Sequence, residues 1–268
     1  MEYILNFVYD LPVYLSFIFI VGSFVIFALL LISLLKKFIF NKGEKDDSNA
    51  TNDNISYYLS TFGVFYGIMF GLHTVGVWEN YEAANHLVDE EASVIVAFYK
   101  DAEELEQNCK VNLTIHIRDY TQYVYDVAWK NQAVGKAHTN GSYYLNNFRD
   151  ELMKCEPTTT KQEILFSELY AKYNEVLELR RQRLAFVDKQ VPYIIWTLIT
   201  IGALVTLITS SMFTFKNEKH HLLLNGLMGV TIGSFIFLVI MIDNPFKGEI
   251  SISNDPYESI YHEYMEHK

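Results

Sequence analysis

Apolar and polar positions along this chain separate into long blocks. Leu11 to Leu35, Ile55 to Trp78, Val191 to Phe215 and Leu222 to Ile242 contain no Asp, Glu, Lys or Arg. Each run exceeds the ~20 residues that a helix needs to cross a bilayer, so the pattern predicts four membrane-spanning helices. The polar remainder also reads as helix. No helix-breaking residue separates Trp78 from Glu106, which predicts that the second span continues beyond the membrane with Ala84, Leu87, Val88, Ala92, Val94, Ile95 and Phe98 on a broad apolar face. Shorter helical periods cover Lys110 to Gln132 and Ser142 to Lys154, with breaks at Gly135 and Asn140-Gly141. A longer period from Lys161 to Lys189 leads straight into the third span at Val191-Pro192. No long β alternation and no useful internal repeat is present. The expected fold is an all-α membrane protein with four transmembrane helices and a helical stem formed by extensions of spans 2 and 3. Its segments are a membrane hairpin at 1–78, a soluble stem at 79–190, a second hairpin at 191–242 and a tail at 243–268.

The second span differs from a plain lipid anchor. On a helix, Ser56, Ser60, Gly63, Gly67, Gly71 and Thr74 share one narrow sector, which would let another backbone approach closely inside lipid. Thr61, Phe65, Ile68, Met69 and Leu72 lie opposite, and Phe62, Tyr66 and His73 form an aromatic flank. Phe62, Phe65, Tyr66, Met69 and His73 are therefore pore or gate candidates, and Gly63, Gly67 and Gly71 are helix-packing candidates. His73, the one titratable group in the apolar runs among His, Lys, Arg, Asp and Glu, reads either as part of a path through the membrane or as a packing residue near the helix end. Asn54 or Ser56 is expected to cap this span after a solvated Asn- and Asp-rich link. In the third span Trp196 fits an interface anchor, and in the fourth Gly229 and Gly233 offer another close-packing face.

Composition changes this picture little. The net charge of -11 is spread over the middle segment and the tail without a basic patch, which excludes nucleic acid as a partner. The first run is not read as a secretory signal, because Glu2 and Asp10 precede it with no Lys or Arg. Cys109 and Cys155 have no metal-ligand spacing and read as inert thiols, with a disulfide open to them if the middle segment faces an oxidising compartment. Asn-x-Ser/Thr matches at Asn49, Asn112 and Asn140 are short enough to arise by chance in an Asn-rich chain. Four spans would put the N-terminus, stem and tail on one side. Lys and Arg near the span ends divide evenly between the two sides, so the raw count does not orient the chain.

The sequence contains no phosphate loop, GxSxG or HExxH, so no enzyme, cofactor or metal site is expected. His220-His221, His262 and His267 read as solvated. Charged stem candidates are Glu79, Glu82, Glu90 and Glu91, with Asp89 beside them, and Arg180, Arg181 and Arg183 on the other long helix. The acids would either ring a pore mouth or pair with the arginines, and Glu90 or Glu91 is the expected partner because a carboxylate on a bundle-facing helix needs one.

Several of these residues together resemble the bestrophin-like four-span family found mainly in bacteria. They are Tyr66-Gly67 with Gly71, Glu91-Ala92, Arg118-x-Tyr120 with Trp129, the Arg-rich stretch Arg180 to Leu184, Pro192 with Trp196, and the tail motif Asp243-x-Pro245-Phe246-x-Gly248. The resemblance implies an oligomeric ion channel, a pentamer by the family plan, whose second span lines the pore and whose stem is cytosolic. The dense acidic run of the animal calcium clasp is missing, and Ala128 stands where family members usually carry Glu before the stem tryptophan. Calcium gating is therefore not implied.

The reading is a homo-oligomeric ion channel of the plasma membrane, with lipid and permeating ions as its other partners and a lean to cations. The alternative is a membrane-anchored sensor or scaffold whose stem binds a protein partner. Protonation of His73, tuned by burial and by Glu79 or Glu82, is expected to make conductance depend on pH.

Overall fold

A computed structural model of the protein describes residues 2–38, 48–137, 140–187, 189 and 191–266. Those residues form helices and connecting turns, with no strand among them. Ten α-helices follow in order: α1 (Glu2–Tyr9), α2 (Val13–Phe38), α3 (Ser48–Glu103), α4 (Gln107–Tyr123), α5 (Trp129–Ala133), α6 (Gly141–Leu152), α7 (Thr160–Val187), α8 (Tyr193–Ser211), α9 (Glu218–Asp243) and α10 (Asp255–Ile260). Single π-helical turns cover Val124–Ala128 and Tyr261–Met265. Among the described residues, helices α2, α3, α8 and α9 are the four that are long and apolar enough to span a membrane.

The chain divides into a membrane unit, Met1–Glu79 with Val191–Asp243, and a helical unit, Asn80–Gln190 with Asn244–Lys268. Helix α3 is continuous through both, because neither Gly nor Pro interrupts the run after Gly76. The C-terminal residues, taken from the sequence as a separate tail, belong to the helical unit.

In the membrane unit α2 lies along α9. A Cβ added at Gly229 would stand 2.9 Å from the Val25 Cα, and one at Gly233 would stand 2.9 Å from the Val21 Cα, so the glycines permit backbone contact. Phe17 meets Phe237 edge-on at 5.2 Å. The Tyr9 hydroxyl donates to the Ile240 carbonyl at 2.7 Å, fastening α1 to α9.

Helix α3 begins earlier than the Asn54 or Ser56 cap anticipated. The cause is long-range. Asn52 donates from Nδ2 to the Thr214 carbonyl at 2.8 Å and accepts from the Thr214 N–H at 2.9 Å, so residues of the expected link are held as the first turns of the helix. Link residues Lys42 and Lys45 lie outside the described residues, as does His267. Trp196 is also not an exposed anchor. It is buried and hydrogen-bonds the Asp243 carboxylate, which accepts the Val191 N–H at 3.0 Å as well. Asp243 thus ties the end of α9 to the entry of α8.

The helical unit has its own core. Ala84, Val88, Ile95, Phe98 and Ala102 of α3 pack with Leu113, Ile117 and Tyr120 of α4, Leu145, Phe148 and Leu152 of α6, and Leu169, Tyr173 and Val176 of α7. Phe98 and Phe148 centre 4.3 Å apart. Helices α4 and α6 pack together, and Cys109, at the start of α4, is disulfide-bonded to Cys155, after α6, with Cα atoms 6.0 Å apart. The expectation of inert thiols is corrected here, because packing α4 on α6 brings together two cysteines 46 positions apart in sequence.

Candidate pore face and buried ion pair

The membrane half of α3 is largely uncovered by its own chain. Only 11% of its most apolar window is buried, against 22%, 44% and 39% for the spans in α2, α8 and α9. Added Cβ atoms at Gly63, Gly67, Gly71 and Gly76 meet nothing within 4 Å. Gly63, Gly67 and Gly71 line an apolar groove of about 610 Å³, whose other walls include Thr206 of α8 and Met228, Ile232 and Phe235 of α9. Phe65 and Leu72 are each 71% exposed, and Ile68 and Met69 are exposed beside them.

Phe62 and Tyr66, on the aromatic flank, do not share this openness. Tyr58, Phe62 and Tyr66 stack at about 6.0 Å spacing, and Phe70 continues the ladder to Phe235 of α9. The Tyr66 hydroxyl donates to the Ile199 carbonyl at 2.9 Å, while its ring fills the space left by Gly202, where a Cβ would come within 2.0 Å. Tyr66 is therefore bound to α8. His73 is half-buried with its Nε2 buried and without a hydrogen-bond partner, and the carboxylate that acts on it is Asp243.

In the helical unit Glu91 and Arg183 form a buried, two-pronged ion pair. Arg183 donates from Nε to Glu91 Oε2 at 2.7 Å and from Nη2 to Oε1 at 3.2 Å, with both side chains at most 1% exposed. Tyr120 donates its hydroxyl to Glu91 Oε1 at 2.7 Å. Above the guanidinium lie the rings of Trp129 at 5.7 Å and Tyr257 at 5.5 Å, each offering its π face to the charge. Burial, and then the Glu91 charge, push the Tyr120 phenol well above the ordinary tyrosine range. Burial opposes the charge on Arg183, but Glu91 outweighs it and holds the guanidinium charged.

The other charged candidates are dispersed. Glu79, Asp89 and Glu90 are exposed and Glu82 is half-buried. Arg181 pairs with Glu178 at the surface at 2.7 Å, and Arg180 packs beside Gly141. Among the described residues no three His, Cys, Asp or Glu side chains converge as metal ligands.

The tail motif closes the helical unit around the same pair. Phe246 is buried edge-on against Trp129 at 5.5 Å. The Pro245 carbonyl accepts the Ile252 N–H at 2.8 Å, and Gly248 takes a φ of +83° that turns the chain back. Trp129 Nε1 donates to the Ile252 carbonyl at 3.3 Å, and Asn254 Nδ2 donates to the Tyr125 carbonyl at 3.0 Å within the π-helical turn. Tyr257 and Gly202 were not singled out from the sequence. Nothing local marks Tyr257 as a wall of the ion pair, and Gly202 lies outside any glycine repeat.

No curated protein matches the sequence. Two solved structures of a bacterial bestrophin homologue from Klebsiella pneumoniae, each with a single substitution, share the fold. One has a TM-score of 0.63 at 11% identity, covering 89% of this chain and 96% of that one. The other has a TM-score of 0.66 at 10% identity, covering 92% and 97%. The family model for the Bestrophin-like domain matches residues 22–257. With that match over most of its length, the chain belongs to the Bestrophin-like domain family.

Proposed function

We propose that the protein is a homo-oligomeric ion channel of the plasma membrane in which α3 helices from several copies surround a central path. The observation that carries this reading is the uncovered membrane half of α3. It is the least buried of the four spans, yet it holds the small-residue stripe suited to close contact with another helix. Within such a ring Phe65 and Met69, exposed on α3, are the side chains available to narrow the path by dewetting. Phe62 and Tyr66, held in the ring ladder, brace the helix instead. The exposed Glu79, Asp89 and Glu90 would favour cations near the path, whereas the charge of Glu91 is spent on Arg183.

Membership in the family supports the channel reading and, by its plan, a pentamer. The same plan would put the helical unit and both termini in the cytosol. The test joins two measurements on purified protein: mass in detergent or nanodiscs, and current across planar bilayers. A closed ring of copies with unitary currents is the expected result. A monomer, or a ring that passes no ion over a range of salts, overturns the proposal.

A further inference from the structure

The Cys109–Cys155 bridge closes a loop over much of the helical unit. Cys109 lies in the first turn of α4 and Cys155 follows the end of α6, with their Cα atoms 6.0 Å apart. Between them in the chain come the rest of α4, the π-helical turn at Val124–Ala128, α5 and α6. That segment supplies Tyr120, which donates to Glu91 at 2.7 Å, and Trp129, whose ring covers the Arg183 guanidinium. The bridge therefore constrains the part of the unit that encloses the buried ion pair. Near it, Asn112 Nδ2 reaches Glu151 Oε2 at 3.5 Å on the surface, a far weaker tie between α4 and α6 than the covalent bond.

Both cysteines are half-buried, and Met153, Lys154 and Glu156 around the second are exposed. Small thiols and disulfides in solution can reach the pair, as they cannot reach a bridge sealed in a core. The chain has two cysteines, so within it each is the other's sole thiol partner. With the helical unit in the cytosol, the placement proposed above and the one on which this inference rests, the bridge meets a pool that keeps thiols reduced. A disulfide in that compartment is transient and follows the supply of oxidant.

We propose that Cys109 and Cys155 form a reversible redox modification site, oxidised by a low-molecular-weight disulfide, whose bridge clamps α4 to α6 when the cytosol turns oxidising. One cysteine thiolate attacks a sulfur of the small disulfide and releases one small thiolate, leaving a mixed disulfide. The other cysteine thiolate then attacks the protein sulfur of that mixed disulfide, which forms the Cys109–Cys155 bond and releases the second small thiolate. The two electrons lost by the cysteines end on the small disulfide, and the two protons on the two thiols it becomes. A dithiol reductant reverses the exchange by the same route. The cross-link removes conformational freedom from the opened segment, so without it local opening of α4 and α6 is more frequent, while α7 lies outside the loop. The two states differ in how firmly Tyr120 and Trp129 are held against the Glu91–Arg183 pair.

The full-length chain in growing bacterial cells tests this. Cells are quenched in acid and denatured, and free thiols are labelled with a polyethylene-glycol maleimide. The expected pattern is two labels per chain in untreated cells, none after treatment with membrane-permeant dipyridyl disulfide, and two again once the oxidant is washed out, matching the two cysteines. Two labels after the oxidant, or none in untreated cells, overturns the proposal. In the second case a membrane-impermeant phosphine added to intact spheroplasts shows which premise failed. A bridge that it opens lies outside the cell, so the cytosolic placement is wrong, whereas one that it leaves closed is a permanent cytosolic bridge. Hydrogen exchange on purified protein, equilibrated with oxidised or reduced glutathione, tests the clamp. Amides of α4 and α6 should exchange about tenfold faster in the reduced protein, with those of α7 changing less than about twofold. Cys109→Ser and Cys155→Ser should match the reduced chain in either buffer. Equal exchange in the two states of the unsubstituted chain overturns the clamp, whatever the variants do.

Discussion

The two halves of α3 are one continuous helix in opposite surroundings. Toward its N-terminal end, Phe65 and Leu72 are each 71% exposed. Further on, Ala84, Val88, Ile95 and Ala102 are wholly buried, and Glu91 gives its charge to Arg183. The distal half is finished within the chain, because α4, α6, α7 and the C-terminal turns all contribute to its core. The membrane half has no such cover. The glycines repeat the contrast: α2 backbone closes on Gly229 and Gly233, while Gly63, Gly67 and Gly71 face open space. A small-residue stripe licenses close approach without naming what approaches, and the same signature serves one contact inside the chain and another that the chain does not supply.

The largest expected effect breaks the closed half. Arg183→Ala leaves the Glu91 charge buried without its partner and should cost about 3–5 kcal/mol of stability. Arg181→Ala, at a solvent-exposed and screened pair, should leave the unfolding midpoint nearly unchanged. Thermal unfolding in detergent compares the two, and equal losses would mean that the distal half is not closed around this pair.

Next comes a matched pair of glycine substitutions. Gly233→Leu drives a side chain into the α2 backbone and should destabilise the chain by about 1–3 kcal/mol. Gly67→Leu meets no atom of its own chain, so stability at low protein concentration should change by no more than about 0.5 kcal/mol. It should instead lower the oligomeric fraction and the current. If both variants unfold alike, the α3 stripe is packed within the subunit and the contrast is lost.

The smallest effect concerns the exposed end of the helical unit. The hydrogen bond from His262 to Glu266 raises the His262 pKa above its ordinary value, somewhat opposed by desolvation. With the folded pKa raised, the contribution of this contact to stability is fully present below the ordinary histidine pKa of about 6.5 and is lost as pH rises through the raised value. Proton NMR should place the His262 midpoint above that of an ordinary histidine, and Glu266→Gln should bring it back. A midpoint that ignores the substitution would detach the final turn from this contact.

What the sequence determined alone was local. Four apolar runs of bilayer length fix four spans, since each backbone must satisfy its hydrogen bonds within one segment, and the lack of Gly or Pro after Gly76 carries α3 beyond the membrane half. The tail motif Asp243-x-Pro245-Phe246-x-Gly248 was legible for the same reason, being a run of neighbours. The tertiary structure decided what depends on residues far apart. It chose Glu91 over Glu90 as the partner of Arg183, seated Tyr66 on Gly202, drew Asn52 to Thr214 and joined Cys109 to Cys155. Periodicity sets the face on which a side chain lies, but which other face meets it is settled only when packing brings distant segments together, because whether burying a charge or a glycine surface is favourable depends on the partner that arrives.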